Sequence, residues 1–134
     1  NWMCPPDVGD IDDMIERARK HRRAFVFQSV APLEDSFDAG GMREAAKKHL
    51  RLLQLIFSKI PVSWGLALKL GAGGCSVCDA PCAKSDGEPC RHPEKAIASM
   101  ESYGIAVYEL AERCGLQYVN GENTVTYFGA ILYD

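Results

Sequence analysis

Apolar positions recur along this chain with two different periods, and the switches between them outline a fold. In DVGDIDDMIERARKHRR, Ile11, Met14, Ile15 and Ala18 fall at the three-to-four spacing of one helical face, behind a capping Asp10 and first-turn acids. This predicts a helix over 10–22. The next stretch, Ala24 to Val30, is short, aromatic and β-branched, so it reads as a strand buried on both faces at its start. After the Pro-, Asp- and Gly-rich APLEDSFDAGG loop, Met42, Ala46, Leu50, Leu53, Phe57 and Ile60 mark a long helix over 42–59 that Pro61 ends, with Leu52 and Ile56 widening its stripe. Leu66, Leu68 and Leu70 then alternate with Ala67 and Lys69, which predicts a strand over 64–70. Pro93 suits the first turn of a helix reaching about Ser102. Beyond Gly104, a further helix over 105–113 is closed by Gly115, and TVTYFGAILY reads as a last strand over 124–133 whose Gly129 marks a bulge or a close backbone approach. The expected fold is a small single α+β (or α/β) domain over 1–134, with about three strands and four helices in an order the pattern does not set.

Both periods fail between Gly71 and Glu94. GAGGCSVCDAPCAKSDGEPCRHPE holds four cysteines and no apolar repeat, so it is expected to form a loop hung between a strand and a helix. At 134 residues and 47% hydrophobic, the chain can build its own core, so it needs no disulfide framework to fold. With no signal peptide readable, a reducing, cytoplasmic setting is the expectation for the six cysteines. The most apolar helix, around LRLLQLIFSKI, is interrupted by Arg51, Gln54 and Lys59, so no membrane span is expected. A net charge of −3 without an extended basic patch argues against nucleic acid as a partner; the short basic run Arg17–Arg23 follows Asp12, Asp13 and Glu16 and reads as a solvated helix end. The chain opens on Asn1 rather than methionine, which predicts a fragment or processed chain whose preceding segment is missing.

The cysteine spacing is Cys75-x2-Cys78-x3-Cys82-x7-Cys90. Two thiols separated by two residues can reach one ion or cluster, and the next two lie near enough to complete four-sulfur coordination within one loop. Free packed cysteines are the plain alternative, but these four sit among Asp79, Lys84, Ser85, Asp86 and Glu88 rather than at apolar positions. A structural zinc is chemically sound. Zinc loops usually pair two knuckles across a longer spacer, however, whereas three of these cysteines are bunched as in ferredoxin-type loops, although the run is not the ferredoxin run itself. An iron-sulfur cluster, most simply four-iron, is therefore preferred, with zinc as the alternative.

Gly71, Gly73 and Gly74 before the first ligand are either an ordinary turn or a flexible backbone able to aim N–H groups at sulfur; no helix follows to make them a dinucleotide fingerprint. Arg91 is a candidate to neutralise thiolate charge, and a solvated loop arginine is the equal alternative. His92 is a weaker candidate ligand, better read as a helix-start residue. Cys4 is a candidate for a second shell or a second site. Cys114, at a helix end, reads as structural, and His49, beside the long helix's stripe, as a packed or hydrogen-bonded residue without assigned function.

LGAGGCSVCDAPCA, GEPCRHPEKAIASMESYGIAVYELAERCGL and ENTVTYFGAILY together resemble a family of prokaryotic proteins described only as predicted metal-binding proteins, with CRHPE followed by SMESYGI as the most specific part. The resemblance extends from NWMCPPDVG to the last strand. It implies metal binding, and it implies that Trp-x-Cys-Pro-Pro ends a longer cysteine-bearing segment, the one expected to be missing before Asn1. No reaction or substrate comes with it. No flavin motif, Ser/His/Asp set or activated nucleophile is readable, so catalysis is left open. The expectations are electron transfer through a cluster, with a redox partner protein, or a zinc module without redox activity, or a role in metal handling.

Overall fold

The computed structural model describes residues 1–134. Its centre is an antiparallel sheet of three strands, β1 (Arg23–Pro32), β2 (Leu68–Leu70) and β3 (Thr124–Tyr133), in the order β1-β3-β2. The C-terminal strand is thus central. Phe27 stands opposite Gly129 on one side of it, and Leu70 opposite Ala130 on the other.

Side chains on β3 alternate between two covered faces, as the two-residue period of a strand requires. Phe128, Ala130 and Leu132 join the main core with Leu70, Met100 and Tyr103, with Met14 of α1 (Ile11–Arg19) and with Val107 and Ala111 of α3 (Val107–Arg113). The odd-numbered positions face α2 (Ala39–Ser58). There, a Cβ on Gly129 would lie 2.5 Å from Phe27 Cζ and 2.6 Å from Leu53 Cδ2. Helices on both faces of a short antiparallel sheet give an α+β domain of three layers.

The first helix starts at the cap the sequence predicts, Asp10, whereas α2 starts three residues earlier than expected, at a cap within the segment read as loop. Asp10 accepts the Asp12 N–H at 2.9 Å, and Asp38 accepts the Gly41 N–H at 2.8 Å. Gly115, at φ +71°, follows the C-cap Cys114 of α3 as a left-handed terminator.

Several expectations are corrected. Three α-helices form, not four. The segment after Pro93 is irregular up to a single 3-10 turn at Glu101–Tyr103, because its backbone is captured by the end of β2. Gly71 donates to the Ala98 carbonyl at 2.8 Å, Met100 donates back to the Gly71 carbonyl at 3.1 Å, and Gly71 bridges Ser99 in parallel. Groups committed across this bridge cannot serve a helical ladder. The strand expected over 64–70 shortens to three residues, since Val62–Trp64 makes a 3-10 turn ended by Gly65 at φ +66°. β1 is an edge strand whose first three residues are exposed, not a strand buried on both faces. On α2 the deepest residues are Ala45, His49 and Leu53, so the buried stripe is centred one position away from the expected one.

Candidate metal loop

The bridge at Gly71 and Ser99 closes a neck, and the cysteine-bearing segment is the excursion that leaves and re-enters the fold through it. The neck is tight: a Cβ on Gly71 would approach Ile97 Cγ2 to 2.9 Å. Outside it the loop has one element of regular structure, the 3-10 turn Ala83–Asp86, whose Ala83 is buried while Gly87 terminates the turn at φ +70°. Ser85 ties back to the Cys82 carbonyl through both its N–H and its hydroxyl.

A second segment, Asn1–Asp7, lies across this loop as a strap. The Asn1 side-chain amide donates to the Cys75 carbonyl at 2.8 Å, and the Trp2 indole N–H donates to the Glu88 carbonyl at 2.9 Å. Asp7 pairs with Lys84, whose ammonium also stands 5.3 Å over the Trp2 ring. Cys4 Sγ lies 3.6 Å from where a Cβ on Gly74 would be, which puts this thiol beside the residue preceding Cys75. The strap is not legible in the sequence. Its contacts join residues more than 70 positions apart, for example Asp7 with Lys84, and no local spacing announces such pairs.

All six cysteines are free thiols. Cys75, Cys78, Cys82 and Cys90 are half-buried, as is Cys4, whereas Cys114 is exposed at the C-cap of α3, so core packing does not account for it. Among the loop thiols Cys82 has the most distinct electrostatics. The Lys84 N–H, and next the Trp2 N–H, stabilise its thiolate and hold its pKa below the usual thiol value, with the Arg91 charge acting in the same direction and partial burial opposing. Arg91 is braced across the loop: one guanidinium nitrogen donates to the Pro81 carbonyl at 2.9 Å and another lies 3.8 Å from an Asp86 carboxylate oxygen. His92 is half-buried, and its carbonyl accepts the N–H groups of Lys95 and Ala96 in a turn at Pro93.

The donor set is that of a thiophilic metal, four soft thiols in one loop with N–H groups supporting at least one of them. In the folded chain, no three His, Cys, Asp or Glu side chains are drawn together closely enough to share one ion. Four-thiolate coordination would therefore require the loop to close, and its ends are already held by the neck.

His49, the remaining histidine of interest, is a structural residue. It lies on α2, buried against the sheet between the rings of Phe27 and Tyr127. No helix of the chain is long and apolar enough to cross a membrane.

Searches of curated proteins and of solved structures returned no match. The model of a family described as predicted metal-binding protein (DUF2284) matches residues 1–133. That match spans the strap, the cysteine loop and the central strand, and this chain belongs to the DUF2284 family.

Proposed function

We propose that the chain holds a metal centre through Cys75, Cys78, Cys82 and Cys90, most simply a four-iron iron-sulfur cluster that exchanges electrons with a partner protein. The observation that carries the reading is the concentration of four free, half-buried thiols in one loop whose ends are tied at Gly71 and Ser99. Metal binding is coupled to local folding in such loops, because the ligands must be both deprotonated and gathered. A loop anchored at its neck and strapped by Asn1–Asp7 has less conformational freedom to lose on closing. Stabilisation of the Cys82 thiolate by the Lys84 and Trp2 N–H groups lowers the deprotonation cost at one ligand. A bound cluster would supply one-electron transfer. Around it, Arg91 offsets thiolate charge, and the backbone donors at Cys82 tune the potential upward by stabilising negative charge on sulfur.

The bunching of Cys75, Cys78 and Cys82 favours iron-sulfur over zinc, which four thiolates would also hold. Metal and acid-labile sulfide analysis of protein purified without oxygen, with visible spectra before and after dithionite, tests the proposal. Iron, sulfide and a broad absorbance bleached by dithionite are expected. Stoichiometric zinc in a colourless protein would assign the structural alternative, and Cys78→Ser retaining metal in full would overturn the ligand set.

A further inference from the structure

Between the outer side of α2 and the loop segment Ser76–Asp79 lies an open cavity of about 540 Å³. Its helical wall carries Arg43, Lys47 and Arg51, three cations spaced four residues apart and so stacked along one side of α2, with Ala46 and Leu50 beside them as an apolar floor. The facing wall presents Ser76, Cys78 and Asp79. In a chain whose net charge is −3, three cations around one cavity run against the overall balance.

Carboxylates do not absorb this charge. Lys47 has no acidic partner within 4.0 Å, and Arg51 has only Glu44, 3.7 Å away and exposed on the same helix. Arg43 sits near Asp38, but that carboxylate is committed first to the Gly41 and Glu34 N–H groups. Asp79 forms no ion pair, so the lining carries three positive charges against one negative. The volume falls within the roughly 300–1,000 Å³ of small-molecule sites. Forked guanidiniums flanking an ammonium suit oxyanions, which arginine can bind through paired hydrogen bonds.

We infer that this cavity binds a small multivalent oxyanion, a di- or tricarboxylate or a phosphate-bearing molecule with a short apolar body, and holds it against Cys78. The anion site stands on the α2 cations alone. Its position beside a reactive centre rests on the proposed metal loop, so that an anionic substrate or redox-active ligand would meet the centre at Cys78.

Calorimetric titration of the reduced, metal-free protein with citrate and with inorganic pyrophosphate, at about 0.15 M salt, tests the site. Acetate serves as a monovalent control. Saturable binding of at least one trivalent probe is expected, and which of the two binds tighter separates carboxylate from phosphate chemistry. The double variant Lys47→Gln/Arg51→Gln should weaken it about tenfold or more, as expected when charge-assisted hydrogen bonds are lost. Lys48→Gln, a neighbouring α2 cation outside the cavity, should leave it unchanged. No saturable binding, or equal weakening by Lys48→Gln, would overturn the inference and leave the stripe as a diffuse charged surface. Metal uptake measured after reconstituting a portion of the same protein with iron and sulfide, and separately with zinc, keeps the two readings apart: anion binding by a protein that takes up no metal sinks only the metal proposal, and full metal loading without anion binding sinks only this one.

Discussion

The Ser29 hydroxyl and the His49 imidazole meet at 2.6 Å, and together they lock α2 to two strands at once. His49 Nε2 lies 3.1 Å from the Phe128 carbonyl, which can only accept, so Nε2 carries the proton and Nδ1 accepts from Ser29 on β1. This arrangement uses the neutral ring. Burial, the larger influence, pushes the His49 pKa below its ordinary 6.5, and the Phe128 carbonyl offsets only part of that. Since the folded value lies below the unfolded one, the unfolded chain binds more protons between the two. Stability is then fully present above about 6.5 and is lost as pH falls toward the folded pKa. Urea unfolding midpoints should drop between about pH 7.5 and 5.5 in the native chain, and less so in His49→Gln. An unchanged pH slope in the variant would remove His49 from the account. Ser29→Ala, which leaves Nδ1 buried without a donor, should cost about 1–3 kcal/mol at neutral pH.

Gly129 is required by volume rather than by backbone angle. It pairs with Phe27 across the sheet, and the Phe27 ring and a Leu53 methyl fill the space a side chain would take. Both neighbours are core groups, and either can yield only by disturbing the contact between α2 and the sheet. Gly129→Ala should therefore destabilise the fold by about 1–3 kcal/mol, and Gly129→Val by more. Thermal unfolding followed by circular dichroism reads this directly, and a neutral Gly129→Ala would show that the α2 interface is looser than described.

The sequence reading succeeded where period and local chemistry coincide. The cap at Asp10 marks a real helix start, Gly115 ends α3, and β3 spans the expected ten residues because both of its faces are apolar, whereas the cap of α2 at Asp38 lies where the reading expected only loop. Gly129 was legible as a special position, because a glycine inside a strong strand pattern has nothing local to explain it, but not as what it is: the ladder runs through it without a bulge, and side chains of Phe27 and Leu53, not backbone, approach it. The failures share a cause in long-range pairing. Pro93 looks like a helix start until Gly71 claims the backbone of Ala98 and Met100, and Trp64 looks like strand until Gly65 turns the chain. His49 was legible as packed, but its central place was not, because the α2 stripe was drawn through larger residues than the alanine and histidine that face the sheet. The loop thiols could be counted from their spacing. The strap over them could not.

Trp2 is the strap's main anchor, through its indole bond to Glu88, its stacking under the Lys84 ammonium and its backbone N–H near Cys82. Trp2→Ala removes the first two and leaves the sheet and helices untouched. The variant should unfold within about 1 kcal/mol of the native chain while its cysteine loop exchanges amide hydrogens faster, because an element with few apolar contacts opens locally. Metal retention against a chelator should fall about tenfold, the order expected when groups supporting a ligand are lost. Hydrogen exchange read peptide by peptide separates the outcomes: faster exchange spread over β3 would mean that Trp2 supports the whole fold and not the loop alone.

Thiol accessibility offers a direct count of the ligands. Cys114 is exposed at the end of α3, while Cys75, Cys78, Cys82 and Cys90 are half-buried in the loop. Coordination holds a sulfur's lone pairs and withdraws it from electrophiles, whereas an uncoordinated exposed thiol stays reactive. Alkylation with iodoacetamide, followed by mass spectrometry of the peptides, should modify Cys114 equally with and without metal. The four loop cysteines should be modified in the metal-free protein and protected once metal is restored. Protection of Cys114 would mean that it is a ligand or that metal drives self-association, and modification of any loop cysteine in the loaded protein would remove that residue from the set. Cys4 is the informative fifth position: its sulfur already lies beside Gly74, so protection there would make the strap part of the coordination sphere, and modification would limit it to a supporting role.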